Sequence, residues 1–419
     1  MPEDRGGEPR PVAVSVGIGP GILAGIRVLD LTRVVAGPAC TRVLADLGAE
    51  VLKIEPPEGD LLRTGYPRRG GLSVLFAGQN VGKRFLSVDL TRPEGVDLVL
   101  DLAERSDVVV ENFRPGVAAR LGVGYEQVAA RRPDVVYCSI SGYGQDGRAA
   151  NRRAYAPVVH AEVGLLAHKA KEQGRTPAPE PVSHADIAVG MAGAQAVLAA
   201  LFRRERGGGG AWIDASMCEA MLATNEWTEV EVNGGPDYLR SPFRPGRAAV
   251  VQLGDPDGTW VAIPGSPAAV LPHCLRLTGR ADLLDDERFA TIEARSERLE
   301  ECVALIAEVA ATFDRFEAFE QMLSDGARLP VGRLVPLADT VDADWAVDRR
   351  AFLDLPSGEG SETVRVHRSP LRISGADCGP RSGAKHLGAD NRAALADVLG
   401  LGDEELGRLE ADGVLVERR

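Results

Sequence analysis

IRVLDLTRVVAGPACTRVLADLGAEVLKIE, residues 26–55, decides the fold of this chain. It begins with a short run of β-branched and aliphatic residues, Ile26–Thr32, which predicts a buried strand. A turn follows, then a helical pattern over Pro38–Leu47 and a second strand-like run, Glu50–Glu55. A helix between two strands usually joins them in parallel, so this stretch predicts the first βαβ unit of an α/β sheet.

The same alternation continues along the chain. Pro93–Glu104 has an amphipathic pattern, and Asp186–Arg206 is the strongest helical run, ended by the glycines at 207–210. Further strand-like runs lie at Asp107–Asn112, Asp134–Ile140 and Trp212–Ser216. Short strands that alternate with helices predict an open α/β sheet with parallel strands.

A second, smaller domain is expected after this alternation. At 419 residues the chain exceeds the usual size of one domain. Val250–Pro264 has the pattern of a β-hairpin around Asp255-Pro256-Asp257-Gly258, and helical patterns follow it. The predicted division is an N-terminal extension at 1–22, a large domain at 23–230 plus 345–419, a linker at 231–248 and a small α+β domain at 249–344.

Composition excludes several classes of function. The net charge of −13 disfavours nucleic acid as a partner, because phosphate backbones require a basic surface. No run approaches the length of apolar residues that a membrane span needs, and the N-terminus lacks a signal peptide, so we expect a cytoplasmic protein. The six cysteines are scattered without zinc-like spacing, which predicts reduced thiols and no metal.

Phosphate-loop motifs do not explain the chain. The glycines at Gly17–Gly21 precede the first strand, whereas a dinucleotide-binding loop follows it. Gly78–Lys83 lacks the spacing and the Ser or Thr of a Walker A loop. Neither GxSxG nor HExxH occurs. These observations alone predict a soluble two-domain α/β protein, most simply an enzyme.

Asp186 is the candidate catalytic residue. It lies at the start of the strongest helical run, where aspartate commonly caps a helix. A carboxylate at the same place can also be a nucleophile that faces a cleft. The residue pattern by itself leaves both interpretations open.

The ordered segments of the chain resemble the family III CoA-transferases (CaiB/BaiF type), which include formyl-CoA transferase, carnitine CoA-transferase and α-methylacyl-CoA racemase. The resemblance runs from about Leu23 to the C-terminus. The segments that carry it are Val28–Thr32, Ala36–Pro38, Leu47–Glu55, Gly59-Asp60 with Arg63, Asn80 with Lys83-Arg84 and Asp89, Glu111–Gly116, Leu121-Gly122, Ser141–Gly144, Asp186 with Gly190, Ala199–Leu201 and Leu283–Phe289.

The resemblance implies a fold and an assembly. It implies an open Rossmann-like large domain, a smaller α+β domain and a homodimer whose two subunits interlock like linked rings. It implies that acyl-CoA and a carboxylic acid are the substrates, with coenzyme A as the moiety that is moved and no metal.

The resemblance also assigns roles to residues. It makes Asp186 the nucleophile, which forms a mixed anhydride and then an aspartyl-CoA thioester. It implies that CoA contacts the turn after the first strand and a set of polar and cationic side chains. The residues implied for CoA are Val34, Val35, Ala36, Arg63, Lys83, Asn112, Arg114, Arg120, Arg153 and Tyr155.

Two alternatives remain open. A racemase of this family needs a histidine and a glutamate as paired bases, and the matching positions hold Tyr155 and Ser266, which are not bases at neutral pH. A non-catalytic CoA-binding homologue is the alternative from another class. Residues with an open role toward the acyl substrate are His160, His184, Arg244, Arg247 and Ser266.

Overall fold

A computed structural model describes residues 20–234, 248–358 and 361–418. The chain divides into two compact units, the first formed by residues 1–163, 180–224 and 344–419 and the second by 164–179 and 225–343. Residues 249–343 of the predicted small domain lie within the second unit. Arg244 and Arg247 lie outside the described residues.

The described secondary structure follows, numbered along the chain. The strands are β1 (Arg27–Asp30), β2 (Glu50–Glu55), β3 (Arg68–Arg69), β4 (Leu72–Ser73), β5 (Arg84–Ser87), β6 (Val108–Glu111), β7 (Val136–Ser141), β8 (Ala211–Ser216), β9 (Ala249–Gln252), β10 (Trp260–Ile263), β11 (Gly332–Arg333), β12 (Phe352–Pro356) and β13 (Thr363–His367). The α-helices are α1 (Ala36–Asp46), α2 (Val74–Asn80), α3 (Pro93–Glu104), α4 (Val117–Arg120), α5 (Tyr125–Arg131), α6 (Ala156–Glu162), α7 (Leu165–Gln173), α8 (His184–Glu205), α9 (Met217–Thr224), α10 (Thr228–Gly234), α11 (Pro267–Leu277), α12 (Ile292–Ser296), α13 (Leu299–Ala310), α14 (Phe316–Ala327), α15 (Asp344–Asp348), α16 (Asn391–Leu399) and α17 (Asp403–Ala411). Short 3₁₀ turns lie at Leu61–Thr64, Ala281–Asp285 and Leu337–Asp342.

The first unit is built on a six-stranded sheet. Its strand order is β5-β2-β1-β6-β7-β8, and every neighbouring pair is parallel. The central strands are almost fully buried, as their runs of Val, Leu and Ile require when helices cover both faces of a sheet. The predicted parallel α/β sheet is therefore confirmed.

The end of the chain returns to the edge of this sheet. The side chains of Asp390 and Asn391, at the start of α16, accept hydrogen bonds from the backbone amides of Phe85 and Ser87 in β5. The amide of Asn391 donates to the carbonyl of Val416. These contacts cover backbone groups that an edge strand would otherwise leave unpaired.

Helix α8 packs closely on α1. A Cβ atom placed on Gly190 would lie 2.7 Å from the carbonyl oxygen of Ala36 and 2.8 Å from the Cβ of Ala39. Glycine is therefore required for the two backbones to approach each other here. The contact brings the first turn of α8 next to the first turn of α1.

Helix α8 is also, among the described residues, the one helix long and apolar enough to cross a membrane. It packs against α1, β7 and β8 within the first unit. These contacts bury one face of the helix within that unit.

The second unit has its own core. β9 and β10 form the predicted hairpin, and β11 joins β10 on its other side, also antiparallel. Helices α11, α13 and α14 pack their apolar faces together with this sheet around residues such as Leu271, Ile306 and Phe319.

Candidate active site

A cavity of about 410 Å³ lies at the carboxyl ends of β1, β6 and β7. The chain leaves β1 toward β2 and leaves β6 toward β7, in opposite directions across the sheet. Open parallel sheets bind ligands at such a point, because the two loops diverge and leave a crevice. The residues that line it are Arg33, Val34, Ala36, Asn112, Phe113, Arg114, Pro115, Ile140, Ser141, Gly142, Ala150, Arg152, Arg153, Ala154, Tyr155, Asp186 and Met217.

Asp186 lies in this cavity as the third residue of α8. Ser183, not Asp186, occupies the N-cap position of the helix, so the capping interpretation of Asp186 is wrong. The backbone amides of Ala36 and Ala156, and its own amide, act on the carboxylate and lower its pKa. Ala36 and Ala156 are the first residues of α1 and α6.

Three helix N-termini therefore converge on one carboxylate. The amides of a helix N-terminus carry partial positive charge and stabilise an anion. Asp186 is only 9% exposed, and this burial raises its pKa to about 6, whereas the nearby backbone amides lower it. The group is thus mostly ionised at neutral pH but poorly solvated, which suits a nucleophile.

His160 is fully buried in α6. Its Nε2 accepts a hydrogen bond of 3.1 Å from the backbone amide of Ala185, in the first turn of α8. The ring must therefore be neutral with its proton on Nδ1, and burial, followed by the charge of His184, lowers its pKa. Nδ1 has no hydrogen-bond partner among the described residues. His160 holds the start of α8 and does not line the cavity.

His184 lies outside the cavity lining as well. Its ring centre is 6.1 Å from that of His160, and its side chain is half-exposed with Nε2 3.8 Å from Glu180. The structure thus brings the two histidines together at the start of α8.

Four arginines give the cavity a basic wall. Arg114 and Arg153 were predicted from the sequence, and both line it. Arg33 and Arg152 also line it, although they were not predicted from the sequence. Arg33 directly follows the first predicted strand, and Arg152 is next to Arg153. Their places in the sequence are therefore the feature from which they could have been predicted.

Arg152 is already held in place. It forms an ion pair with Glu162, and its guanidinium lies 4.8 Å from the centre of the Tyr143 ring. The hydroxyl of Tyr143 donates to the same carboxylate at 2.8 Å. Arg33 is looser, with its guanidinium 5.9 Å from the Phe113 ring centre and 3.8 Å from Glu58.

Lys83 requires a correction. It is 2% exposed, and its ammonium donates to Asp30, Thr41 and Asn80 at 2.8–2.9 Å. Burial lowers its pKa to about 8, which its ion pair with Asp30 opposes. Its ammonium is enclosed by β1, α1 and the end of α2, so the predicted contact with a CoA phosphate does not fit its position.

Other predicted residues have different positions. Arg63 makes two hydrogen bonds to Glu55 and lies over the ring of Phe76, so its guanidinium is already engaged. Arg120 ends α4 and does not line the cavity. Val35 is the N-cap residue of α1. Ser266 is the N-cap residue of α11 in the second unit.

Val34, Ala36, Asn112 and Tyr155 do line the cavity, together with Asp186. Tyr155 precedes α6 and is 59% exposed. Within the described parts of the chain, no group of His, Cys, Asp or Glu residues is arranged to hold a metal ion. The chemistry available in the cavity is therefore that of a buried carboxylate, converging amides and guanidinium groups.

Comparison with known proteins identifies relatives of this arrangement. The family described as CoA-transferase family III matches residues 23–391. A formyl-CoA:oxalate CoA-transferase of Streptomyces avermitilis is 32% identical over 413 residues, which cover 94% of this chain and 99% of that protein. A succinyl-CoA:glutarate CoA-transferase of Mus musculus is 30% identical over 399 residues, which cover 94% of this chain and 90% of that protein.

A solved structure has the same fold. The crystal structure of a CAIB/BAIF family protein from Brucella suis matches with a TM-score of 0.76 at 30% identity, over 90% of this chain and 100% of that one. The sequence match extends over most of the chain, from before β1 to the start of α16. The chain therefore belongs to CoA-transferase family III.

Proposed function

We propose that this protein moves coenzyme A from an acyl-CoA to a carboxylic acid through a covalent aspartyl-CoA thioester on Asp186. One observation carries the proposal: the carboxylate of Asp186 lies in a basic cavity, at a point where the N-termini of α1, α6 and α8 converge. A buried anion held by backbone amides is a nucleophile with its transition-state donors already in place.

The proposed reaction has two balanced halves. A carboxylate oxygen of Asp186 attacks the thioester carbonyl, the C–S bond breaks, and the CoA thiolate leaves with the electron pair. The thiolate then attacks the aspartyl carbonyl of the mixed anhydride, and the donor acid leaves as a carboxylate. The acceptor carboxylate reverses these two steps. No net proton or electron is taken up, so neither a general base nor a redox group is needed.

The amides of Ala36 and Ala156 supply the electrostatic stabilisation in this scheme. Each attack places negative charge on a carbonyl oxygen near Asp186, and a fixed donor for such an oxygen is typically worth about 3–4 kcal/mol. The arginines of the cavity wall suit the phosphates of CoA, because guanidinium groups bind phosphate oxygens in pairs. They provide a local basic site in a protein with a net charge of −13.

We also propose the interlocked homodimer and a cytoplasmic location. Large apolar side chains such as Met191, Phe202 and Trp212 are 51–66% exposed in the isolated chain, which fits a surface that a second copy covers. Light scattering on a sizing column tests the assembly, and a monomer at micromolar concentration would contradict it.

An exchange assay tests the function. The donors are formyl-CoA and succinyl-CoA, and the acceptors are oxalate and glutarate. These are the compounds in the names of the two relatives. The CoA products are separated by chromatography. We expect at least one new thioester with the wild type and none with Asp186→Asn. We also expect the rate to fall as the pH drops through about 6, where Asp186 becomes protonated.

The same assay in deuterated water separates the alternatives. For this purpose the panel includes a 2-methylacyl-CoA. Deuterium at the α-carbon without transfer would support the racemase alternative. Binding of CoA with neither signal would support the non-catalytic homologue. Either outcome contradicts the proposal.

A further inference from the structure

Side chains bond to successive backbone polar groups of the turn after β1, from the amide of Thr32 to the amide of Val34. The Thr32 amide donates to Asp30 at 2.9 Å, and the Thr32 carbonyl accepts from Lys53 at 2.9 Å. Both polar atoms of the Asn112 side chain bond to the backbone of Arg33, one to its amide and one to its carbonyl, at 2.8 Å each. The turn is therefore fixed by Asp30, two residues before it, and by Lys53 and Asn112, which are distant in sequence.

Asp60 completes this set at Val34. Both oxygens of its carboxylate accept from the Val34 amide, at 3.0 and 3.2 Å. Asp60 is 1% exposed, and its carboxylate lies 3.5 Å from the ammonium of Lys53. Asp30 and Lys83 form a second buried ion pair, so these two buried carboxylates are matched by two buried ammonium groups.

The conformation that these bonds hold is strained. Val34 has φ of 67°, a region that β-branched residues rarely adopt. Such outliers persist only where the surroundings over-determine them, and they concentrate at functional sites. Buried ion pairs are likewise weak contributors to stability and are better explained by the geometry that they fix. The turn leads directly into Ala36, which lines the cavity with Asp186.

We propose that Asp60 and Asn112 are positioning residues, which hold the strained turn at Arg33 and Val34 so that the Ala36 amide is aimed at the Asp186 carboxylate. This role is separate from the direct contact with CoA that the resemblance implies for Asn112, which lines the cavity. Its catalytic consequence rests on the proposed function. Its structural consequence, the orientation of the Ala36 amide toward Asp186, does not depend on the proposed function.

The variant Asn112→Ala tests the proposal. Loss of the clamp misplaces an oxyanion donor, so kcat should fall by about 10- to 100-fold. The Kd for CoA, measured by calorimetry, should change by a smaller factor than kcat, because the proposed effect acts through the turn on the reacting carboxylate. The acid limb of the pH profile should also move to higher pH, since an Ala36 amide turned away from Asp186 leaves its anion less stabilised.

Asn391→Ala is the matched control. Asn391 makes the same two-sided backbone clamp, to Ser87 and Val416, but does not line the cavity. It should lower the Tm without moving the pH profile or kcat per folded molecule. Asp60→Asn, which keeps an acceptor for Val34, should reproduce the kcat loss in milder form. Unchanged kcat in Asn112→Ala, or a weakened Kd for CoA at constant kcat, would overturn the proposal.

A second measurement separates this proposal from the proposed function. If the wild type transfers no CoA, the test uses Tm at pH 8. The change in Tm that Asp186→Asn causes is measured twice, once in the wild type and once in the Asn112→Ala variant. The proposal predicts a larger difference in the Asn112→Ala background, because the Asp186 anion has then lost a donor. Equal differences in the two backgrounds would overturn it, whatever the activity.

Discussion

At the scale of single residues, the central feature is one carboxylate in a poorly solvated place. The sequence identified Asp186 but left two roles open, because aspartate at a helix start is equally typical of a cap. The structure decides between them, since Ser183 occupies the cap position and Asp186 faces the cavity.

The raised pKa of Asp186 has a consequence for stability. Because burial raises its pKa in the folded state to about 6, the folded protein holds this proton more tightly than the unfolded chain does. Ionisation of Asp186 therefore lowers the free energy of unfolding. This loss is absent below pH 4, grows as the pH rises, and is complete above pH 6. We expect Asp186→Asn to stabilise the fold by up to about 3 kcal/mol at pH 8.

Urea denaturation at pH 8 and pH 5 checks this expectation. The increase in the free energy of unfolding caused by Asp186→Asn should be clearly larger at pH 8 than at pH 5. A variant that is less stable than the wild type at pH 8 would show that the anion is well stabilised in the fold.

Lys83, Arg33 and Arg152 show what sequence could not supply at this scale. Lys83 is buried because the fold places it against Asp30, which lies 53 residues earlier, and no local pattern reveals that pairing. The two arginines belong to loops whose convergence depends on the order of strands in the sheet.

At the scale of elements, the site depends on the contact between α1 and α8. Their alternation with strands was predictable from periodicity, but their close approach depends on a single glycine. Gly190 allows α8 to approach the carbonyl of Ala36, one turn beyond the nucleophile.

We expect Gly190→Ala to move α8 away from α1. Its Cβ would lie 2.7 Å from the Ala36 oxygen, and such overpacking typically costs about 1–3 kcal/mol. Transfer activity should fall with stability, because Asp186 loses the Ala36 amide. Gly193→Ala is the control on the same helix, since its nearest contact, Cys40 Sγ at 3.3 Å, is less severe. Equal effects of the two variants on activity would argue against the role of this contact.

The start of α8 depends on His160 in a similar way. His160→Leu removes the acceptor for the Ala185 amide, and a buried donor without a partner costs about 1–3 kcal/mol. His160→Gln keeps an acceptor at this place and should lose clearly less stability in urea denaturation. If both variants lose the same amount, the hydrogen bond contributes little and His160 acts by packing alone.

At the scale of the whole molecule, the parallel sheet and the later hairpin were predictable because periodicity is local. The strand order β5-β2-β1-β6-β7-β8 was not, and it is this order that creates a crevice between β1 and β6. The same order explains how a chain with a net charge of −13 presents a basic cavity, since arginines from separate loops meet there.

The return of the C-terminal segment was a weaker expectation from sequence. Asp390 and Asn391 complete the edge of the sheet at β5 by bonding to its backbone amides. Such side-chain-to-backbone contacts have no signature in hydrophobic periodicity, so only the folded chain reveals them.

The central claim is that Asp186 becomes covalently modified during turnover, and trapping tests it most directly. The enzyme is incubated with an accepted acyl-CoA, treated with hydroxylamine or borohydride, digested and analysed by mass spectrometry. Our account predicts a hydroxamate or a reduced side chain on the peptide that contains Asp186, dependent on acyl-CoA and absent from Asp186→Asn. Transfer that proceeds at full rate with an unmodified Asp186, or a label on another residue, would contradict it.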